Sequence, residues 1–471
     1  MIADLRQRGA AQAVFDGAGG RWLGADELLA RAAECAARIR HRVDAPALIV
    51  LLCDNSIEAL VGYLAAFTLE WPVAMVDAGM PADQRDRILT RYEPAVVIGS
   101  SAELDPAGVT HDGSTATPAL YFAGRQTPPV AAGLALLLPT SGSTGSPKFV
   151  RLSRTAVEAN ARSIAAALGI GEGQRAITSL SMHYSYGLSV VNSHLIAGGE
   201  LVLTGENLLS DAFWTLVRDQ ACTSMAGVPY SYQLLRRLDL DALNVPHLRT
   251  LTQAGGRLDP KLISHFHDLA VRRGGRLFVM YGQTEATARI TILPAAALPS
   301  KLGSVGPAVP GGTLCIENED GVVLDEPGHI GSIVYRGPNV MLGYASDAAD
   351  LALGDEHGGR LVTGDLGYLD ADGCLFITGR LKRISKVNGY RLNLDEVEAQ
   401  IAPHGAVAVL GGDDRIVVFC EGWDAARRED VLVSTAKQFR LHRSSFVFRD
   451  IDRLPTLASG KVDYRALGEL L

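Results

Sequence analysis

The chain alternates short apolar bursts with helix-like stretches, and that alternation narrows its possible folds more than any other feature. The bursts "APALIVLLC" (45–53), "WPVAMVD" (71–77), "PAVVIGS" (94–100), "ELVLTG" (200–205) and "LFVMYG" (277–282) are brief, continuous and bounded by Gly, Asp or Pro. Runs of this kind read as buried strands. Between them, "RTAVEANARSIAAALG" (154–169) carries Ala, Val and Ile at helical spacing, with Ser153 placed as an N-cap and Gly169 as a stop. Strand–helix alternation implies parallel sheet flanked by helices, an α/β fold. From about 300 to 380 the text changes to short strands separated by the turns "EDG", "EPGHIG" and "DADG". That predicts a more antiparallel, β-rich subdomain. Beyond "GRLKR" (379–383) lies a smaller unit of about ninety residues with strand and helix signals of its own.

Composition limits what such a fold can serve. At 471 residues the chain divides into two or three folding units. Apolar residues at 47% and charged residues at 20% describe a soluble globular protein. The net charge of −8 lacks the basic excess of nucleic-acid binders. The run Ala59 to Leu69 is closed by Glu70, and nothing approaches the roughly 18 apolar residues of a membrane span. The N-terminus "MIADLRQRGAAQ" has charges where a signal peptide has its apolar region, so a cytoplasmic protein is expected. The six cysteines (35, 53, 222, 315, 374, 420) are scattered without a CxxC pair, and read as reduced core thiols.

One loop carries chemistry. "LALLLPTSGSTGSPKFV" (134–150) passes from an apolar strand into small hydroxyl and glycine residues and ends on Lys148. It fails the GxxxxGK[ST] spacing of a Walker loop, and Ser141 rules out a GxSxG elbow. Glycines still let backbone N–H groups approach an anion, hydroxyls add donors and Lys148 adds charge. Taken alone, the segment reads equally as a flexible linker.

Other segments break that tie. "YGQTE" (281–285) offers an aromatic face for a purine, a hydroxyl, and a carboxylate able to hold Mg²⁺. "TGDLGYLDADG" (363–373) places Asp365 in a turn, where it could accept from both hydroxyls of a ribose. "GRLKRISKVNGYR" (379–391) and "LPTLASGKVDY" (454–464) add basic residues in Gly-containing segments. In this order, together with "GGRL" and "GSVGPAVPG", these segments resemble those of the adenylate-forming superfamily. That family comprises acyl- and aryl-CoA synthetases, firefly luciferase and the adenylation domains of nonribosomal peptide synthetases. The matching segments span residues 140 to 466.

The resemblance implies a large N-terminal AMP-binding domain over residues 1–380 and a small mobile α+β lid over 381–471. It also implies a two-step reaction, in which a carboxylate and ATP give an acyl-adenylate and pyrophosphate, and a thiol then displaces AMP. Thr140, Ser141, Gly142, Ser143, Thr144, Gly145 and Lys148 would embrace the outer phosphates. Thr284 would contact the α-phosphate and Glu285 would ligate Mg²⁺. Gly255, Gly256, Arg257 and Tyr281, with the adjoining Gly282 and Gln283, would frame the nucleotide, while Asp365 and Arg380 would hold the ribose. Lys461 would reach the reacting carboxylate in the first step. Lys382 matches the hinge, whose rotation would bring Lys386 and Gly389 to the site for thioester formation, Gly389 leaving space for a pantetheine arm.

The acid is constrained by "SLSMHYSYGLSVVNSHLIAGG" (179–199). Amino-acid-activating relatives place an Asp here for the α-ammonium. No acidic residue lies between Arg175 and Glu200, and an unpaired buried ammonium costs several kcal/mol. An aryl or fatty acid without an α-amino group is therefore expected. Its pocket would be mainly apolar and lined by His183 or Tyr184, Tyr186, Gly187, Val228, Pro229 and Met280. The acceptor is expected to be CoA; the alternative is the phosphopantetheine arm of an acyl carrier protein, and a third reading is a non-catalytic nucleotide-binding relative.

Overall fold

The computed structural model describes residues 1–99, 108–124, 128–139, 148–238, 240, 242–387, 390–412, 415–439, 441–457 and 462–471. They form two compact units, Met1–Thr313 with Arg336–Leu361, and Leu314–Tyr335 with Val362–Leu471.

The first unit holds two eight-stranded sheets. One runs in the order Thr291–Leu293, Arg276–Tyr281, Thr250–Gln253, Ser224–Gly227, Arg175–Ile177, Glu200–Leu203, Gln12–Asp16, Arg21–Gly24. Its inner strands pair in parallel and only its two edge pairs are antiparallel. The other runs Gly343–Ala345, Phe149–Ser153, Leu134–Pro139, Val73–Asp77, Ile49–Cys53, Val96–Gly99, Ala119–Phe122, Thr110–His111, with its parallel pairs at the centre. All five apolar bursts contain strands of these sheets, as expected. Central strands such as Ile49–Cys53 are buried at every position, which explains their unbroken apolar text.

Local signals hold at the helix Arg154–Leu168. The Ser153 hydroxyl accepts from the Ala156 N–H at 3.0 Å, and Gly169 ends the helix with φ 68°. The apolar run ending at Leu69 is the helix Ile57–Leu69, buried on nearly all sides. Among the described residues no helix is long and apolar enough to cross a membrane. The six cysteines are free thiols.

The second unit contains a four-stranded sheet, Thr313–Glu317, Gly331–Arg336, Arg360–Leu369 and Leu375–Arg380. Its last two strands form an antiparallel pair. Asp365 lies within that pair, in register with Arg380, so its expected place in a turn is corrected. The "TGDLGYL" text reads as a turn because of its glycines, yet Gly367 is demanded by packing: a Cβ there would sit 2.4 Å from the Phe376 carbonyl oxygen. The same unit holds the hairpin Ile384–Val387 with Tyr390–Asn393 and a three-stranded sheet, Val407–Gly412, Arg415–Glu421 and Phe446–Ile451. The helices Leu394–Ile401 and Ala425–Gln438 pack on that sheet around Val397, Val418 and Val431.

Candidate active site

The turn Thr284–Ala286 follows the buried strand Arg276–Tyr281 and is fixed by backbone and side chain together. Gly282 has no room for a side chain, since a Cβ would lie 1.9 Å from the Ala288 carbonyl oxygen. Thr287 takes φ 65°, a left-handed conformation that β-branched residues avoid, and its hydroxyl donates to the Asn339 carbonyl at 2.8 Å. The Asn339 amide donates back to the carbonyls of Ala286 (2.9 Å) and Arg289 (3.0 Å). Asn160 clasps Arg289 from the other side, accepting from its N–H at 3.2 Å and donating to its carbonyl at 3.0 Å. The two asparagines therefore hold the whole 284–289 segment in one geometry.

This turn presents Thr284 and Glu285. Thr284 is buried and its hydroxyl donates to the Ser185 hydroxyl at 3.3 Å. The Tyr344 phenol donates to Glu285 Oε1 at 2.9 Å, and the Lys148 ammonium lies 3.5 Å from the centroid of the Tyr344 ring. Burial, then the charge of Glu285, push the Tyr344 phenol far above its usual range, so it stays protonated and acts as a donor. Among the described residues Glu285 takes a hydrogen bond on one oxygen only, which suits a Mg²⁺ ion held by one carboxylate and substrate phosphates. The strands flanking the loop 140–147 pair as a hairpin, Pro139 opposite Phe149, which seats Lys148 at its mouth. Thr140, Ser141, Gly142, Ser143, Thr144 and Gly145 themselves lie outside the described residues.

A second group of expected residues meets at Gly255. Its φ of 84° requires glycine, and a Cβ would come within 2.7 Å of the Tyr184 hydroxyl and 3.1 Å of Val228. Gly256 lies against the Pro229 ring, and Gln253 donates to its carbonyl at 2.8 Å. The turn expected to frame adenine thus shares its residues with the expected acid pocket. Arg257 is exposed beside it, and Tyr281 and Gln283 flank the Thr284 turn. Gly187 lets its helix approach the 179–184 loop, where a Cβ would clash with the Ser181 carbonyl at 2.1 Å.

Of the two candidates for the pocket wall, Tyr184 faces the Gly255 turn, while His183 faces Asp77 with Nδ1 3.9 Å from the carboxylate. Burial lowers the His183 pKa, with Asp77 opposing, so the ring is held toward its neutral form. Tyr186 carries the wall inward, its ring 6.3 Å from Tyr184 and its hydroxyl 2.9 Å from the Thr252 carbonyl. Met280 follows, with its sulfur 3.4 Å from the Arg289 Nε.

In the second unit, Arg380 Nε lies 3.2 Å from Asp365 Oδ1; the carboxylate is largely buried and the guanidinium exposed. Lys386 belongs to the strand Ile384–Val387 and Lys382 to the short helix before it. Gly389 and Lys461 fall outside the described residues. Sequence reasoning missed Ser185, Tyr344, Asn339 and Arg289. The first three carry no local signal, because each acts on a partner distant along the chain. Arg289 does carry one: a lone charge in the otherwise uncharged "ATARITIL".

A family model described as AMP-binding enzyme matches residues 3–345. The chain is 30% identical over 390 residues to the sulfoacetate–CoA ligase of Cupriavidus necator, covering 78% of this chain and 72% of that protein. It is 29% identical over 353 residues to the oxalate–CoA ligase of Arabidopsis thaliana, covering 71% and 67%. The fold matches that of o-succinylbenzoate CoA synthetase from Bacillus subtilis, solved with its acyl-adenylate intermediate. That likeness has a TM-score of 0.79 at 24% identity and covers 98% and 97% of the two chains.

Proposed function

This chain belongs to the AMP-binding enzyme family, and from that premise we propose that it activates a carboxylic acid with ATP and passes the acyl group to the thiol of CoA. In the first step a carboxylate oxygen attacks the α-phosphorus, the bond to the β-phosphate bridge breaks and pyrophosphate leaves. In the second, the thiol sulfur displaces AMP from the acyl carbon and loses its proton.

The observation that carries this reading is the assembly of Lys148, Tyr344 and Glu285 beside Thr284. Two anions must meet in the first step, so charge has to be neutralised where it develops. Lys148, held over an aromatic face, is placed for the outer phosphates. Glu285 would hold Mg²⁺, whose chemistry is to draw charge from the phosphate oxygens. Thr284 would orient the α-phosphate, and Tyr344 keeps the Glu285 carboxylate in place. We assign Gly255, Gly256, Arg257 and Tyr281 to the adenine, Asp365 and Arg380 to the ribose, and the 140–145 loop to the departing pyrophosphate. Lys461 is assigned to adenylation, Lys386 and Gly389 to thiol transfer, and Lys382 to the pivot of a C-terminal lid beginning at residue 381.

The acid is aryl or aliphatic and lacks an α-amino group. Support comes from the wall of Tyr184, Tyr186 and Met280, and from the absence of an acidic side chain among the described residues that line the cavity behind Tyr186. CoA as acceptor is supported by CoA ligases among the relatives, the two named above included.

Carboxylate-dependent ATP–pyrophosphate exchange across aryl and aliphatic acids tests the first step. Glu285→Gln is expected to slow exchange by about 10²–10³, the usual scale for removing one electrostatic contact to the transition state. Release of AMP with free CoA supports the second step, whereas release only with a phosphopantetheinylated carrier protein transfers the assignment to the carrier. Absence of exchange with every acid would sink the reading altogether.

A further inference from the structure

Behind Tyr186 lies a cavity of about 30 Å³, bounded by Tyr186, Met280, Thr252, Ser224, His194 and Arg289. By volume it holds roughly two water molecules. Its lining mixes apolar side chains with polar ones such as Gln174, Ser193 and Thr250. Among the described residues Arg289 lacks a counter-charge, while the Ser224 hydroxyl and His194 Nε2 lack a hydrogen-bond partner.

Arg289 is 3% exposed. Its neighbours are the face of Tyr186 at 4.0 Å from the ring centroid, the Met280 sulfur at 3.4 Å and the Ala288 carbonyl at 3.1 Å. No carboxylate among the described residues pairs with it. A guanidinium cannot shed its proton to escape burial, and an uncompensated buried charge costs several kcal/mol. The Ser224 hydroxyl and His194 Nε2 have no hydrogen-bond partner among the described residues. His194 Nδ1 lies 2.8 Å from the Val190 carbonyl, which can only accept, so Nδ1 carries the hydrogen and Nε2 presents a bare lone pair.

The cavity is also tied to the reacting centre. Asn339 bonds the carbonyls of both Ala286 and Arg289, so the backbone that carries the guanidinium is held by the same side chain that fixes the turn of Thr284 and Glu285. An alkyl or aryl tail ending in carbon would strand the cation and the hydroxyl in a dry wall. A terminal anion would satisfy both, leaving Nε2 to accept from a water or a hydroxyl on the same ligand.

We propose that Arg289 is a specificity-determining residue, and that the acid activated by this protein carries a second acidic group, carboxylate or sulfonate, at the end remote from the reacting carboxylate. The proposal rests on the adenylation reading of the site and adds the chemical class of the acid. The aryl or aliphatic body lies along Tyr184 and Tyr186, and its distal anion accepts from Arg289 and Ser224.

The test uses the full chain in ATP–pyrophosphate exchange with matched acids: linear and phenyl-spaced dicarboxylates, ω-sulfocarboxylates, and the equivalent monoacids ending in methyl. The best two-anion acid is expected to exceed its methyl-ended match by about a hundredfold in kcat/KM, the scale measured when one partner of a buried charge pair is removed. Arg289→Leu should lower that ratio at least tenfold, and Arg289→Lys should retain part of it. The unreactive acid alone should raise the Tm of the wild type and not of Arg289→Leu. A preference for methyl-ended acids, or a ratio unmoved in Arg289→Leu, overturns the proposal while leaving the adenylation reading intact. Exchange with no acid of either kind overturns both. If Arg289→Leu fails to fold, the wild-type ratio still decides.

Discussion

Two arginines of the first unit are almost equally buried, and they live in opposite ways. Arg151 is 0% exposed and fully engaged: its Nε donates to the Tyr344 carbonyl at 3.0 Å, its Nη1 to the carbonyls of Leu353 and Gly354, and its Nη2 pairs with Glu356. Arg289 is 3% exposed and rests on an aromatic face, a thioether and one carbonyl. Arg151 lies on the strand Phe149–Ser153 and ties it to the 343–356 segment that carries Tyr344. The contrast teaches how to separate a charge that builds the fold from one that is held ready. The first arrives with its counter-charge and its acceptors, while the second is fixed in position with the counter-charge missing. Burial alone would have grouped them.

Substitution should pull the two apart. Arg151→Met leaves the carbonyls of Tyr344, Leu353 and Gly354 unpaired and is expected to cost about 3 kcal/mol of stability. Urea unfolding of the variant measures this, and an unchanged midpoint would remove Arg151 from the structural class.

A loss of similar size is expected from pH at the other polar wall of the cavity. Burial presses the His194 pKa from 6.5 to about 4. The unfolded chain therefore takes up this proton first as pH falls. Stability from this group is full above about pH 6.5 and declines toward pH 4, where roughly 3 kcal/mol has gone. Comparing wild type with His194→Gln at pH 7 and pH 4.5 isolates the share, since the variant should show a shallower decline.

Tyr344→Phe is a smaller perturbation, because it keeps the ring under Lys148 and removes only the bond to Glu285. It should cost about 1 kcal/mol or less in stability, and slow exchange by up to tenfold. A slowing as large as that of Glu285→Gln would mean the phenol itself touches substrate.

The smallest stability effect is expected at Arg289→Leu. A buried charge without a counter-charge is itself costly, so removing it should let the unfolding midpoint hold or rise. A loss comparable to that of Arg151→Met would erase the distinction between the two arginines.

Much of this was legible in the text of the chain. Continuous apolar bursts give buried parallel strands, because a strand covered on both faces needs no polar alternation. Ser153 and Gly169 bound their helix through bonds made within one turn. The ordered motifs likewise mark the segments that form the candidate site. Asp365 was misplaced because glycine signals a turn and a tightly packed strand alike, and only the neighbouring strand tells which.

The sequence by itself determined the α/β class, the helix limits and the segments from which the site is drawn, since these depend on periodicity and on neighbours a few residues apart. Tertiary structure alone decided that Tyr344 bonds Glu285, that Asn339 locks the Thr284 turn to Arg289, and that Arg151 has a counter-ion where Arg289, among the described residues, has none. Those facts rest on residues far separated in the chain and brought together only by sheet pairing. A side chain's charge is written in its letter, whereas its compensation depends on what the fold places beside it.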